Sequence, residues 1–387
     1  MLDSLRIQVA RFTGSRSIRT AIPITTATMT RPIVPDTEID PLLPPRLARM
    51  SDVIERSGSA ARKSWITVVT VGGANVVRHH PKRVTVGRRG PVPGIQVRVV
   101  QVAPTMADND KTAHIDRFGR HGVWGGFNQF SADTAREIER LGYGALWLGG
   151  SPTDLRTVRE VLAATDKLTV ATGIVNIWNT DPAAIAAEFL ELDRDFPGRF
   201  YLGIGAGHPE ATAEYTSPFG AVGRYLDVLD DGGVPVNRRV LAALGPRMLT
   251  LSAERALGAH PYLTGPAHTA QARATVGDGV LLAPEHKVVL GTDPVAARAV
   301  GRPPVDQPYL HLRNYTSNLK RLGYTDADLA DGGSDSLIDA LVAHGDAAAV
   351  RAQVDQHVAA GADHVAIQVL GSSDVTADLA AIIGAAD

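Results

Sequence analysis

From residue 106 onward, short apolar runs alternate with stretches that place apolar residues at helical spacing. The apolar runs are almost free of polar residues, as in strands that are buried on both faces of a parallel sheet. This alternation predicts a parallel sheet covered by helices. The predicted strands are GVWGGF, ALWLGG, LTVATGIVNIW, RFYLGIGAG, RRVLAAL, AHPYLT, HKVVLG and HVAIQVL.

Several helix starts can be predicted from capping residues. Ser131 is a predicted N-cap, and Asp181 precedes Pro182, which suits the first position of a helix. The body 106–387 has about 280 residues, the usual size of a (β/α)8 TIM barrel. Polar and glycine-rich residues repeatedly follow the strands, where barrel enzymes build their active sites, which favours the barrel over the alternative, a doubly wound open sheet.

A long stretch before the last strand, YLHLRNYTSNLKRLGYTDADLADGGSDSLIDALVAHGD, predicts an inserted helical lid. Its polar residues indicate a solvated helix face by default, and a lid that reaches over an anionic ligand is the alternative. These residues are Arg313, Asn314, Tyr315, Asn318, Lys320 and Arg321.

Residues 1–105 differ from the body in charge and in pattern. They contain 14 Arg and 2 Lys against 6 acidic residues, whereas 106–387 contain 23 basic and 35 acidic residues. The segment could supply two or three strands but lacks clean alternation and hairpin turns. We interpret it as an extension, poorly structured or produced by non-native upstream translation, with the true start at Met106. A nucleic-acid-binding arm is the alternative, but no aromatic interleaving or binding motif supports it.

Composition narrows the function class further. The chain has no Cys, which excludes disulfides and thiolate metal sites and favours a cytoplasmic setting. No apolar run is long enough for a membrane span. Neither HExxH nor the clustered carboxylate spacing of a metal site occurs, so we expect no catalytic metal, and the absence of a G-x-S-x-G elbow removes a common hydrolase design. His260, in GAHPYL, is either a packed strand-end residue or part of a site.

Two glycine-rich turns are candidate binding elements. In LGIGAGHPE, Gly205, Gly207 and His208 follow a strand, and glycine lets the backbone approach a flat or phosphorylated ligand. A tight barrel turn explains that stretch equally well. In AALGPRMLTLSAE, Gly245 and Pro246 open a helix directly after a strand, and Arg247 lies in the first turn. Free backbone N–H groups and a positive helix end favour an anion there, and Arg adds a charge-assisted contact. An ordinary loop is the alternative reading.

Taken together, GVWGGF, LGYGALWLGGSP, TVATGIVNIWNTDP, FYLGIGAGHPE, LAALGPRMLTLSAERALGAHPYLTGPAHTAQAR and AAGADHVAIQVL resemble the luciferase-like monooxygenase superfamily. They are most similar to its actinobacterial oxidoreductases that use coenzyme F420. The resemblance spans roughly 110–375 and implies a (β/α)8 barrel that holds a flavin or deazaflavin at its carboxyl face. Nothing before Met106 takes part in it.

The resemblance also implies which residues form the cofactor site. A non-prolyl cis peptide that backs the ring is expected at Gly173–Ile174, with Asn176 and Trp178 beside the ring. Gly205, Gly207 and His208 would line the other side of the ring. Gly245, Pro246 and Arg247 would bind the phosphate end of the cofactor.

The sequence departs from the family pattern after the second strand. Many members that use coenzyme F420 carry an Asp-His-type pair there, whereas this chain has Gly149, Gly150 and Ser151. We therefore expect the acid/base to come from elsewhere. The candidates are His208, Trp124 and Asn128.

The leading hypothesis is an oxidoreductase that transfers a hydride between coenzyme F420 and an organic small molecule. An FMN-dependent luciferase-like monooxygenase on the same barrel is the alternative. A third is a catalytically degenerate barrel that only binds a ligand, since the Asp-His pair is missing. The family resemblance also implies a homodimer. We expect no nucleic-acid or membrane partner.

Overall fold

The computed structural model describes residues 6–7, 27–28, 65–71, 74–80, 95–100, 108–207 and 217–385. The chain divides into two compact units, Met1–Ala107 and Asp108–Asp387. In the first unit, β1 pairs with β2, and β3 lies between β4 and β5, all antiparallel. Its strands are β1 Arg6–Ile7, β2 Ala27–Thr28, β3 Trp65–Val71, β4 Ala74–His80 and β5 Ile95–Val100. The interpretation of residues 1–105 as an extension lies mostly outside the described residues and stays a prediction.

The second unit contains a curled sheet in which every described strand pair is parallel. Its strands are β6 His121–Gly126, β7 Ala145–Gly149, β8 Thr169–Gly173, β9 Val175–Asn176, β10 Phe200–Gly205, β11 Arg239–Leu241, β12 Gly258–Ala259, β13 Leu281–Leu282, β14 Glu285–Leu290, β15 Val342–Gly345 and β16 Val365–Val369.

Helices alternate with these strands along the chain and cover the sheet. They are α1 Asp108–Asp116, α2 Ala132–Arg140, α3 Arg156–Ala164, α4 Pro182–Asp195, α5 Pro218–Asp231, α6 Pro246–Arg255, α7 Pro266–Val276, α8 Pro294–Asp306, α9 Arg313–Arg321, α10 Asp326–Leu329, α11 Asp335–Leu341, α12 Ala347–Ala359 and α13 Val375–Gly384. Short 3-10 turns occur at Val236–Arg238 and Tyr309–His311.

The sheet closes on itself through one stretch of chain. The strand order is β13-β12-β11-β10-β8-β7-β6-β16-β14-β15. Only two residues separate β13 from β14, and they carry the pairing onward: Ala283 N donates to Ala259 O, and Ala366 N donates to Pro284 O. The stretch 281–290 therefore joins β12 to β16. The predicted TIM-barrel fold is confirmed.

The barrel interior is filled by side chains in layers, as expected when every second residue of a strand points inward. Trp147, Ala171, Tyr201 and Ala366 form one fully buried cluster. A second cluster, between strands and helices, includes the apolar faces of α2 to α5. Beyond this cluster, the next inward positions toward the carboxyl ends of the strands line one end of the barrel. We call this end the mouth.

Two predicted elements need correction. The run LTVATGIVNIW is not one strand, because β8 ends at Gly173, β9 ends at Asn176, and Trp178 lies in the following turn. The inserted stretch contains the helices α9 to α11 but is not wholly helical, since its VAHG segment forms β15 beside β14. Its first residue, Val342, pairs with Lys287 on β14. The periodicity of the sequence did not reveal this strand.

The predicted helix starts are confirmed. Ser131 caps α2 and accepts a hydrogen bond from Thr134 N at 3.1 Å. Asp181 caps α4 and accepts from Ala184 N at 2.8 Å, with Pro182 at the first helical position. These caps satisfy backbone donors that a helix leaves unpaired at its start.

Candidate active site

Three inward positions at the mouth are glycines, on β7, β8 and β10. Trp124, from β6, lies across two of them: a Cβ atom on Gly149 would be 2.1 Å from its Cζ2, and one on Gly173 would be 2.7 Å from its Nε1. Real Cβ contacts are never this short, so the indole occupies the space that the missing side chains leave. Trp124 therefore forms part of the floor of the mouth.

His260, which follows β12, lies below this floor. Its ring stacks on Trp147 with 4.0 Å between centroids and an interplanar angle of 8°. Its Nδ1 donates to Ala283 O at 2.6 Å, which leaves a lone pair on Nε2. Burial lowers the pKa of His260 to about 4, so the ring is neutral at pH 7.

Two buried nitrogens at this point have no hydrogen-bond partner in the structure. They are Trp124 Nε1, a donor, and His260 Nε2, an acceptor. Both face the position beside Gly173, because a Cβ atom there would be 2.7 Å from the first and 3.5 Å from the second. Buried polar atoms are normally paired, so an unpaired donor and acceptor side by side indicate a place for a polar group.

The peptide bond between Gly173 and Ile174 is cis, at the position that the family resemblance implies. The Ile174 side chain then packs on the backbone of Gly205, where a Cβ atom would be 2.8 Å from Ile174 Cδ1. The end of β9 packs in a similar way on the backbone that follows β10. Asn176 approaches Gly207, whose φ is +57°, to within 2.7 Å of the position of a Cβ atom.

Trp178 contributes its backbone and ring to the same turn. Its N–H donates to Asn176 Oδ1 at 3.1 Å, and its Nε1 donates to Ala206 O at 2.6 Å. Asn176 is almost fully buried and Trp178 is half-buried. The residues predicted on these two strand ends are thus brought into direct contact.

The start of α6 is the second predicted binding element. Gly245 is its N-cap and has no side chain, and Pro246 has no N–H, so the first turn keeps backbone donors without a side-chain cap. Arg247 is exposed, and its guanidinium lies 4.5 Å from the ring centroid of Phe219. Arg321, from α9, approaches the same helix start, 3.7 Å from the position of a Cβ atom on Gly245. Two guanidinium groups and a helix start together favour an anion.

Asn128 is the predicted catalytic residue that the structure places away from this arrangement. Asn128 is exposed in the turn after β6, beside Gly126. His208 lies outside the described residues. After β7, Gly150 has φ +89° and Ser151 has φ +55°. The carboxylate of this turn, Asp154, accepts hydrogen bonds from Arg156 N at 3.1 Å and Nε at 3.0 Å.

The opposite side of the mouth holds a group of residues that the sequence did not reveal as a site. Lys287 and Glu285, on β14, form an ion pair of 3.0 Å with side-chain exposures of 1% and 0%. Tyr262 covers the Lys287 ammonium, and Gln368 accepts a hydrogen bond from the Tyr262 hydroxyl at 3.1 Å. The sequence signal was a lysine that directly precedes the apolar part of the predicted strand HKVVLG.

No group of three or more His, Cys, Asp or Glu residues able to hold a metal ion occurs among the described residues. None of the helices in this described part is long and apolar enough to cross a membrane.

A family model for luciferase-like monooxygenases matches residues 128–230. No curated protein matches the chain in sequence.

Solved structures share the fold. An F420-dependent secondary alcohol dehydrogenase in complex with an F420-acetone adduct is 15% identical, with a TM-score of 0.54 over 69% of this chain and 97% of that chain. The coenzyme F420 dependent tetrahydromethanopterin reductase from Methanopyrus kandleri is 15% identical, with a TM-score of 0.50 over 69% and 97%. The oxygenating constituent of 3,6-diketocamphane monooxygenase from Pseudomonas putida, in complex with FMN, is 13% identical, with a TM-score of 0.50 over 68% and 95%.

Proposed function

We propose that this chain, whose residues 128–230 match a family model for luciferase-like monooxygenases, is an oxidoreductase that transfers a hydride between coenzyme F420 and an organic substrate. The observation that carries this proposal is the unpaired pair of buried nitrogens, Trp124 Nε1 and His260 Nε2, at the barrel mouth. A donor and an acceptor that face one space suit the polar edge of a ligand, and barrel enzymes bind ligands at this end.

The residues present fit a flat ring with a phosphorylated tail. Trp124, the Gly173–Ile174 backbone and Gly205 would hold the ring. The start of α6 with Arg247 and Arg321 would hold the phosphate, since helix starts and guanidinium groups both favour anions. When bound, a deazaflavin supplies a ring carbon that gives or accepts a hydride. The protein contributes the orientation of the substrate and a group that holds the accompanying proton.

An FMN-dependent monooxygenase is the second candidate. It is favoured by the likeness in fold to a monooxygenase constituent in complex with FMN. Both cofactors carry a flat ring and a phosphate, so the same residues would serve either of them.

Binding measurements on the full chain separate these candidates. We expect coenzyme F420, followed by fluorescence quenching, to bind more tightly than FMN. Arg247→Glu places a carboxylate at the start of α6 and should weaken binding by about 10-fold or more. Arg136→Glu, at an exposed position on α2, is the matched control and should leave affinity unchanged.

The possible outcomes point to different functions. Preferential binding of FMN would replace the proposal by the monooxygenase. Binding of neither cofactor would leave a barrel that has kept the fold and lost the chemistry.

A further inference from the structure

Tyr262 connects the mouth to a buried ion pair. Its ring lies 5.0 Å from the Trp124 ring on one side, while on the other the Lys287 Nζ lies 4.0 Å from its centroid. Its hydroxyl donates to Gln368 Oε1 at 3.1 Å. Tyr262 is half-buried, whereas Lys287 is enclosed. Among these groups, the tyrosine is the one placed between the lysine and the mouth.

The ion pair beneath Tyr262 is fully removed from solvent. Glu285 uses one oxygen for Lys287 Nζ at 3.0 Å and the other for the backbone N–H of Leu263, also at 3.0 Å. Desolvation of two charges is costly, and a pair of apolar residues would often serve stability equally well. A buried pair of this kind on a barrel strand is therefore a candidate for a functional role.

The inserted segment contributes two further tyrosine rings near Tyr262 and Lys287. Tyr309 lies 5.3 Å from the Tyr262 ring and 5.7 Å from Lys287 Nζ, and Tyr315 lies 4.8 Å from Tyr309. One ring of the insertion, Tyr309, therefore also lies near the lysine, and Tyr315 packs against that ring. The charged and titratable groups that face Tyr262 are Lys287, Glu285, Tyr309 and Tyr315.

We propose that the Tyr262 hydroxyl is the proton donor for carbonyl reduction at this mouth and that the Lys287–Glu285 pair positions it. This inference rests on the proposed function. It assigns the acid that the missing Asp-His pair after β7 leaves open.

The neighbouring groups are poorly suited to this task. His260 is neutral and presents only a lone pair at Nε2, so it cannot donate a proton there. Lys287 is too enclosed to meet a substrate. Burial raises the pKa of Tyr262 well above its usual value, so its hydroxyl keeps its proton at neutral pH.

The proposed step reduces the carbonyl group by two electrons and takes one proton from Tyr262. The carbonyl carbon accepts a hydride, supplied by the reduced deazaflavin, and the electron pair of the C=O π bond moves to oxygen. That oxygen takes the proton of Tyr262, and the O–H bond of the tyrosine breaks. The phenolate that remains has the Lys287 ammonium over its ring, 4.0 Å from the ring centroid, and it regains a proton from solvent before the next turnover.

The first test uses the full chain with reduced coenzyme F420 and cyclohexanone as the carbonyl probe. Tyr262→Phe should lower kcat by about 100-fold or more, the usual contribution of a positioned acid, with little change in KM or in affinity for coenzyme F420. Tyr324→Phe, at a half-buried tyrosine of the same inserted segment, is the matched control and should retain full kcat.

The second test does not depend on turnover or on the stability of the Phe variant. A 3,5-difluorotyrosine placed at position 262 alone should change its ¹⁹F resonance when cyclohexanone is added to cofactor-free protein. The same substitution at position 324 should not respond. The fluorinated hydroxyl is more acidic, so the alkaline limb of the kcat profile should move to lower pH.

These results distinguish the two proposals. A full kcat in Tyr262→Phe, or a silent ¹⁹F resonance at position 262, would overturn the role of Tyr262. Failure of the wild type to bind coenzyme F420 would instead overturn the proposed function, while the ¹⁹F response would still decide whether Tyr262 meets a carbonyl group.

Discussion

The two sides of the barrel mouth differ in the residues that occupy their inward positions. On β7, β8 and β10 the inward positions are Gly149, Gly173 and Gly205, and other residues fill the space above them. On the side of β14 and β16 the inward positions are Lys287 and Gln368, and long polar side chains meet there. We call these the glycine side and the lysine side.

The difference shows how each side resists change. The glycine side is defined by shape, because the indole of Trp124 leaves no room for a Cβ atom. The lysine side is defined by charge, because each member of the buried pair needs the other. Substitutions should therefore act through volume on the first side and through electrostatics on the second.

The largest effect is expected on the lysine side. Lys287→Met leaves Glu285 as a buried carboxylate without its cation, which should lower the free energy of unfolding by about 3 to 5 kcal/mol. Denaturation in urea measures this loss. The double variant Glu285→Gln/Lys287→Met keeps an acceptor for Leu263 N–H and should recover most of it. A double variant as unstable as the single one would show that charge pairing is not what this side requires.

At His260, which lies between the two sides, we expect protonation to lower the free energy of unfolding by about 3 kcal/mol. The pKa of His260 in the folded protein, about 4, is below the ordinary value of 6.5, so the unfolded chain binds this proton more readily. Its contribution to stability is complete above pH 6.5 and is lost as the pH falls towards 4. Urea denaturation at several pH values gives the free energy of unfolding as a function of pH. This free energy should depend less steeply on pH in His260→Phe than in the wild type. His286, whose pKa burial also lowers to about 4, is retained in both proteins. Equal slopes would contradict the assignment.

On the glycine side, Gly149→Ala should cost about 1 to 3 kcal/mol of unfolding free energy, because its Cβ atom would lie 2.1 Å from Trp124. Adding Trp124→Phe makes room and should recover part of this loss. Gly223→Ala, on α5 with nothing within 4 Å of the added Cβ, is the matched control. Thermal or urea denaturation compares all three, and a neutral Gly149→Ala would mean that shape does not define this side.

The smallest effect concerns the turn that joins β9 to the next strand end. Trp178→Phe removes the hydrogen bond from Nε1 to Ala206 O and should lower stability by about 1 kcal/mol. Urea denaturation would detect it. A loss several times larger would indicate that this ring supports the whole glycine side rather than one turn.

The sequence by itself determined the architecture and most helix starts. Apolar strands that alternate with helices leave few topologies, and caps such as Ser131 and Asp181 act through residues three positions away. The family resemblance added the place of the Gly173–Ile174 cis peptide. The contacts of Asn176 with Gly207 and of Trp178 with Ala206 also lie between strand ends that the sequence had marked as one site.

Only the tertiary structure decided which chemical groups meet at the mouth. Tyr262 comes from the loop after β12, Lys287 from β14 and Gln368 from β16, and no local spacing relates them. The same holds for Arg321, which reaches the start of α6 from the inserted segment. Secondary structure follows from short-range periodicity, whereas a site follows from the closure of the barrel, which brings the carboxyl ends of distant strands to one place.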